Sequence, residues 1–594
     1  MLFNLPLSVG VTGHRTLPCE HLQRIERQVR QILTITASTS EKITDSHPDV
    51  FAQHPLLVVN SCLSEGADRM VARIGLENGF ALDVALPFHR ESSIHARDLE
   101  GDAQRHSREE LAEILTRSRN VLELGYDEEK IGQSDDAAAG ALRQKAYLAA
   151  GLRVIEHSDM VLALWNGKKQ SNPGSTYDIM TRAAQQNRIV LWIHTESNCD
   201  VQLCEWNNNI LVYKKFQPDN GALRNVLFEC FAPPKQNGVP ALDVGLAECL
   251  TDMDCHKRNP PLKAGLWKKF YNTIAPPQPS LPGAVVAPFT QCVSCPPQIL
   301  EKQYTIFSDL AGYYAHMHRS FFLLSPLLGT LAVTVAVLAL VLPVSAVGAK
   351  VTFGLTELLF LLVLLKAHKD STDEQWQRKL TDYRLLAEVL RHAIVMHGLG
   401  LAPSMQESLP YYDKKPDGWL YWLIRILRRG QGLPNHCWGK VRSEQKECLS
   451  HWLMEQSVYH AQNARRSALA EHRLHLFCNI LVWMTLFLVA LHVLLELLHF
   501  PFVPHGVMAI MNALTILLPL WAMGAHALCQ YAELRRLHDR SKSMTATLEA
   551  LKREMENAQT YSEVVGVAED AAAMMLIEVL EWNVQYKMPE VSRA

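Results

Sequence analysis

The stretch Leu7–Pro18, LSVGVTGHRTLP, changes character halfway along. Leu7-Ser8-Val9-Gly10-Val11 has the apolar run of a buried strand, and Thr12-Gly13-His14-Arg15 breaks it with a glycine, an imidazole and a guanidinium. In a parallel sheet, ligands sit outside the carboxyl ends of the strands, and the break falls there. Gly10 and Gly13 let backbone N–H groups come close to an anion. Arg15 offers a planar fork for phosphate, and His14 a further donor. The competing reading is a tight turn in which Arg15 pairs with a neighbouring carboxylate.

Outward from this stretch the chain keeps alternating. Pro55–Leu63, Ala81–Phe88, Val121–Tyr126, Met160–Trp165 and Arg188–His194 read as further strands. Leu22–Ile35, Ala67–Leu76, Ala138–Glu156 and Thr176–Gln186 have helical spacing. Continuous apolar strands separated by helices predict an α/β unit with a doubly wound parallel sheet over residues 1–198. Its strand ends carry similar chemistry: Ser64-Glu65-Gly66-Ala67-Asp68-Arg69 after the second, Pro87-Phe88-His89-Arg90-Glu91 after the third, and Trp165-Asn166-Gly167 after the fifth, followed by Pro173-Gly174-Ser175-Thr176-Tyr177-Asp178. Two of these turns open helices, whose N-termini favour anions. The candidate ligand-binding set is therefore Gly10, Thr12, Gly13, His14, Arg15, Ser64, Glu65, Gly66, Asp68, Pro87, Trp165, Gly174, Ser175, Thr176 and Asp178. Helix capping is the plainer role for Asp68 and Asp178, and it is compatible with ligand contact.

The rest of the chain is different. With 594 residues it exceeds one ordinary domain, and a net charge of −3 gives no basic field for a nucleic-acid partner. Thirteen cysteines without a framework fit a reducing compartment. Met1-Leu2-Phe3-Asn4 lacks the basic region of a secretory signal. Residues 199–303 are weakly defined, with one more strand in NILVYKKF, one more helix in ALRNVLFECF, and a proline-rich linker. Cys249, Cys255, His256, Cys292 and Cys295 hold only one short ligand pair, so no metal site is expected.

Four apolar runs follow: Phe321–Leu342, Val351–Lys366, Leu476–Leu495 and Val507–Leu528. A membrane helix needs roughly 20 mostly apolar residues. The runs pair as two hairpins, in units 304–400 and 471–594, with tips at Pro343–Lys350 and His499–Gly506. The tips hold a single Lys or Arg, Lys350, whereas Arg319, Lys366, Lys369, Arg465, Arg466, Arg473, Arg535 and Arg536 line the other flanks. The positive-inside rule then places both termini in the cytoplasm. Soluble buried hairpins are the competing reading. Each hairpin runs into a polar helix, His368–His397 and Gln530–Asn557, as a weak internal repeat. Between the units, in 401–470, DGWLYWLIRILRRG puts Trp419, Leu420, Trp422, Leu423, Ile426 and Leu427 on one face and Tyr421, Arg425, Arg428 and Arg429 on the other. That pattern suits a helix lying in the lipid interface, or a core helix with a solvated basic edge. Polar groups inside the spans, Glu357 and Asn512 above all, either line a membrane path or fix the bundle by hydrogen bonds.

The motifs GVTGHR, SCLSEGADRMVA, LPF, HSDMVLALWNG and NPGSTYDI resemble, in order, those of the SLOG superfamily. That superfamily includes the LOG phosphoribohydrolases and the DNA-processing protein DprA. The resemblance covers the first third of the chain and implies a Rossmann-like domain that binds a nucleotide-derived ligand. It implies phosphate contact at Gly13, Arg15, Ser64, Gly66, Gly174, Ser175 and Thr176. LOG enzymes carry PGGxGTxxE with a glutamate that serves chemistry; here that position is Ile179, with Asp178 one residue earlier. The departure favours binding without turnover, leaving Asp178 as the catalytic candidate if hydrolysis occurs. YRLLAEVLRH, HWLMEQSVYHAQNARR and HRLHLFCNILVW resemble the two-helix membrane effectors of the SLATT group in bacterial conflict systems. Together these imply an oligomeric inner-membrane effector of antiphage defence; the alternative is a membrane-tethered LOG-like phosphoribohydrolase.

Overall fold

The computed structural model describes residues 2–52, 54–92, 101–126, 128–133, 136–169, 172–218, 221–236, 241–256, 265–277, 297–342, 345–402, 418–497 and 504–587. Most of the proline-rich stretch, with Cys292 and Cys295, and parts of both hairpin tips lie outside them. In chain order the elements of the first part are β1 (Pro6–Gly13), α1 (Cys19–Ser46), β2 (Leu56–Ser61), α2 (Ala67–Glu77), β3 (Ala81–Leu86), α3 (Gly101–Thr116), β4 (Asn120–Glu123), α4 (Glu128–Gln133), α5 (Asp136–Glu156), β5 (Met160–Trp165), α6 (Thr176–Gln185) and β6 (Ile189–His194). There follow β7 (Gln202–Asn207), β8 (Ile210–Lys215), α7 (Ala222–Phe231), α8 (Val244–Asp254) and α9 (Leu266–Ile274). The remainder is α10 (Gln298–Val341), α11 (Val347–Asp373), α12 (Trp376–His397), α13 (Trp419–Arg429), β9 (His436–Cys437), α14 (Trp438–Leu497), α15 (His505–Tyr531), α16 (Leu534–Asn557) and α17 (Tyr561–Lys587).

The nine strands form one sheet in the order β8-β7-β6-β5-β1-β2-β3-β4-β9. It is parallel except where β7 pairs with β6 and β8 with β7. β5 is buried along its whole length and β1 at all but its last residue, Gly13, as helices on both faces require. The chain winds outward from β1 through β2, β3 and β4, then returns to β5 on the other side, so the topological switch lies between β1 and β5. The sheet runs past residue 198 into β7 and β8, and its last strand comes from beyond the first apolar hairpin.

That late strand belongs to a segment that climbs the sheet from its amino end. α13 is not a lipid-interface helix: Leu420, Trp422, Leu423, Ile424, Ile426 and Leu427 are buried in the protein core. Its basic edge is not solvated either. Asp159, at the amino end of β5, accepts hydrogen bonds from Arg425 Nε at 2.9 Å and Arg429 Nε at 3.0 Å through Oδ1. Its Oδ2 accepts from the N–H and hydroxyl of Ser8, at 3.0 and 2.9 Å. Burial pushes the Asp159 carboxyl up, but the two guanidiniums overcome it and hold it well below the usual carboxylate range. Arg425 also lies 3.7 Å over the Phe231 ring. Farther on, Leu433 donates its N–H to Asp83 at 3.1 Å, a carboxylate also held by Arg119. The segment ends with His436 and Cys437 pairing with Leu122 and Glu123 of β4.

Among the described residues, four helices are long and apolar enough to cross a membrane. They lie in a row, α11 against α10, α10 against α15, and α15 against α14. Trp521 Nε1 donates to Thr334 Oγ1 at 3.2 Å across α15 and α10. Where Gly524 faces Thr330, a Cβ would stand 2.8 Å from the threonine methyl. The hairpin repeat is visible in the backbone. α10 packs along α12 as α14 packs along α16, and α11 and α15 each have 27 residues. Each then breaks at a left-handed residue, Gln375 (φ 48°) and Glu533 (φ 46°), before the polar helix begins. α11 has no buried residue among its 27.

Asp159→Ala should cost about 3–5 kcal/mol of unfolding free energy near neutral pH, because it strands two buried guanidiniums. Because the folded-state pKa is depressed, the contribution is present above the unfolded value of about 4 and is lost as pH falls toward the folded one. Denaturant unfolding in detergent should therefore show the gap between parent and variant closing in acid.

Candidate functional site

The switch point brings three strand-end loops together around His14. His14 donates its backbone N–H to Leu164 of β5 at 3.1 Å and accepts from Ala67 N–H, at the start of α2, through its carbonyl at 3.1 Å. Its ring Nε2 accepts from Asn166 N–H at 3.1 Å, which ties the β1 loop to the β5 loop. Gly66 (φ +80°) packs its α-carbon directly on the carbonyls of His14 and Arg15, where any side chain would collide. Gly13 likewise clears space for Ala67 and Leu164. Arg15 is exposed at the mouth and lies 4.8 Å over the ring of Tyr147 from α5. Phe88 stacks edge-on against the same tyrosine at 5.7 Å. Tyr147 was not singled out from the sequence; a tyrosine on an alanine-rich helix carries no periodic signal of its own.

The α2 side of the site is fixed by buried charge. Ser64 N–H donates to Asp68 Oδ2 at 3.3 Å. Burial pushes the Asp68 carboxyl up to about 7, against the Ser64 hydrogen bonds and the Arg15 and Arg69 guanidiniums. Arg69 is structural: it donates to Leu63 O at 3.2 Å and to Ser107 O at 2.9 Å, and meets Glu110 at 2.9 Å. Glu65 accepts the Ser107 hydroxyl.

Several expected ligand residues have other work. Gly10 sits in mid-strand, where a Cβ would stand 2.5 Å from Ser158 Oγ, so its lack of a side chain serves helix–sheet packing. Trp165 is buried among Trp192 and Tyr177, at ring distances of 5.0 and 5.5 Å, and points into the core. Pro87 is buried and its carbonyl accepts from Tyr126 N–H at 3.1 Å. The loop at Gly174 closes on itself. Gly174 N–H donates to Asp178 Oδ2 at 2.9 Å, Asp178 N–H to Ser175 Oγ at 3.3 Å, and Arg182 Nε to Asp178 Oδ1 at 2.8 Å. That is a reciprocal helix cap in front of Thr176. It uses the very N–H that a phosphate cradle would offer, and Asp178 is spent on it. Ile179, next to Asp178, is buried against Gly151.

A cavity of about 810 Å³ lies elsewhere, among the polar continuations of the spans, with His318, Arg384, Glu388, Arg391, His460 and Glu578 in its wall. Its wall carries both signs, Lys268, Arg319, Arg384, Arg391 and Arg466 beside Glu388, Glu455, Glu533 and Glu578, with Arg391 and Glu388 2.6 Å apart, so it presents no field of one sign. On the candidate spans, half-exposed Glu357 on α11 and exposed Asn512 on α15 sit on helices separated by α10. No family model, curated protein or solved structure matches the chain.

Asp68 gives the site a pH signature. Because its folded pKa is raised, the stability it lends is complete below the unfolded value and is lost as pH climbs through about 7. The loss amounts to up to about 4 kcal/mol. Asp68→Asn should remove that fall, so the difference between the two unfolding curves should grow from pH 4 to pH 8.

Proposed function

We propose that this chain is a membrane effector with a SLOG-like sensor, in which an anionic, nucleotide-derived ligand at the β1–β5 switch point biases the state of four membrane spans. One observation carries the reading: β9, on the edge of the ligand-binding sheet, runs without a break into α14, which contains the third span. A shift among the strand-end loops has a rigid path to the membrane. The chemistry of the loops fits an anion. They offer the N-terminus of α2 and the exposed Arg15 guanidinium, and behind them stands a buried carboxyl, Asp68, that burial pushes up to about 7. A bound ligand can shift the equilibrium only by its preference for one state.

Binding without turnover is favoured over the phosphoribohydrolase alternative, because Asp178 is held by Gly174 and Arg182 and the neighbouring Ile179 is core. The open row of spans supports oligomerisation. An ionised Glu357 facing lipid costs about 3 kcal/mol, and a second copy lying along α11 relieves that cost. The setting is the bacterial inner membrane with both termini cytoplasmic, and the biological role is antiphage defence.

The test is a thermal-shift and mass-spectrometric screen of the full-length protein in detergent against AMP, NAD and cyclic oligonucleotides. A ligand should raise the melting temperature of the parent and not of Arg15→Ala, and it should bind more tightly as pH drops from 8 to 6, because neutral Asp68 repels it less. Released base or ribose phosphate, lost in Asp178→Ala, would overturn binding without turnover. A flat response across the panel would leave a scaffold with an empty fold. In liposomes, the same ligand should release a trapped dye from the parent and far less from Glu357→Leu, whose melting temperature should match.

A further inference from the structure

At the far edge of the sheet stands a group of side chains that the switch point does not use. His89 follows β3, Glu123 ends β4 and Cys437 ends β9, so three strands deliver one residue each to the same spot. His89 Nδ1 lies 3.1 Å from Cys437 Sγ and 3.8 Å from Glu123 Oε2. All three donor atoms fall within 4.8 Å of one another. In a tetrahedral site with Zn–S of about 2.3 Å and Zn–N or Zn–O of about 2.0–2.1 Å, donor atoms stand roughly 3.3–3.6 Å apart. The observed spacings bracket that range.

The surroundings hold the group in place. Two glycines make room for the imidazole: a Cβ at Gly125 would stand 2.7 Å from His89 Cε1, and one at Gly439 would stand 3.0 Å away. Gly125 is also left-handed, with φ +53°. Glu123 is buried, and Arg90 orients its carboxylate with Nε on Oε1 at 2.7 Å and its backbone N–H on Oε2 at 3.0 Å. Glu128 takes the His89 N–H at 3.2 Å. The His89 side chain is 38% exposed, which leaves one side of the group open to water or a further ligand.

We propose that His89 Nδ1, the Glu123 carboxylate and Cys437 Sγ bind a divalent cation of the zinc class. The donor set selects it: thiolate and imidazole suit zinc and its borderline neighbours, whereas magnesium and calcium take oxygen. The charges balance, since one thiolate and one carboxylate match a dication while Arg90 stays on the outer oxygen. On binding, the Cys437 S–H bond breaks, its proton leaves to solvent and a sulfur–metal bond forms. His89 keeps its proton on Nε2 and nothing is oxidised. The bound ion joins β3 and β4 to the residue just before α14, so metal occupancy sets how firmly the root of the third span is held to the sheet. This departs from the expectation of no metal site, which weighed only the cysteines and histidine between Cys249 and Cys295.

The experiment is titration of Co²⁺ into chelator-treated full-length protein in detergent. Saturation at one ion per chain, with the near-ultraviolet charge-transfer absorption of a cobalt–thiolate bond and displacement by Zn²⁺, is the expected result. Cys437→Ser should abolish that absorption, and His89→Gln should weaken binding on the order of 100-fold. Cys255→Ser, which leaves the three donors intact, should change neither. If Cys437→Ser does not fold, the reading moves to melting temperature, which Zn²⁺ should raise in the parent and not in His89→Gln. Absence of saturable binding, or a charge-transfer band that survives Cys437→Ser, would mean that the thiol and imidazole are only a hydrogen-bonded pair and would overturn the proposal.

Discussion

The architecture depends on one buried carboxylate. Asp159 stands where α5 hands over to β5, and it is shared by Ser8 from β1 and by Arg425 and Arg429 from α13. An isolated charge there would be untenable, and paired guanidiniums would be equally so. Each therefore fixes the position of the other. The consequence is geometric: a helix encoded after the first apolar hairpin must lie at the amino end of a sheet encoded before it. The two parts of the chain share one large hydrophobic cluster, with members from Phe3 to Val579, while the sheet face under α6 forms a smaller one of its own.

Further contacts along this seam make the helical region part of the α/β body. His157 Nε2 meets Gly400 O at 3.0 Å, Ala402 N–H reaches Glu156 at 3.1 Å, and Tyr561 donates to Leu399 O at 2.6 Å. Burial pushes His157 well below its ordinary range, so it stays neutral at the seam. The amino end of the sheet is thus clamped, while its carboxyl end carries both the switch-point loops and the root of α14.

Much of the sheet was legible in the sequence because its strands are continuous apolar runs bounded by glycine and polar turns. VLALW and VGVTG have few other readings. The four spans were legible for a related reason, length and apolarity. What could not be read is where tertiary partners come from. A two-residue strand, His436–Cys437, carries no periodicity. The amphipathic face of α13 looks the same whether lipid or protein covers it, and only the buried Asp159 decides. At the site, local motifs were legible but their hydrogen-bond economy was not: NPGSTYD reads as a phosphate loop until Asp178 is seen to accept the Gly174 N–H.

The sharing of Asp159 also bears on how the protein is made. Its two arginines lie 266 and 270 residues downstream, beyond the first hairpin, and the strand that covers the β4 edge is later still. A ribosome delivers the amino-terminal strands first, then the apolar hairpin, and only afterwards the pieces that complete the sheet. Until then the nascent domain carries an open edge and an uncompensated acid. Completion of the sheet is consequently late in synthesis, and a chain stopped before His436 and Cys437 are made leaves an aggregation-prone half-sheet rather than a finished domain.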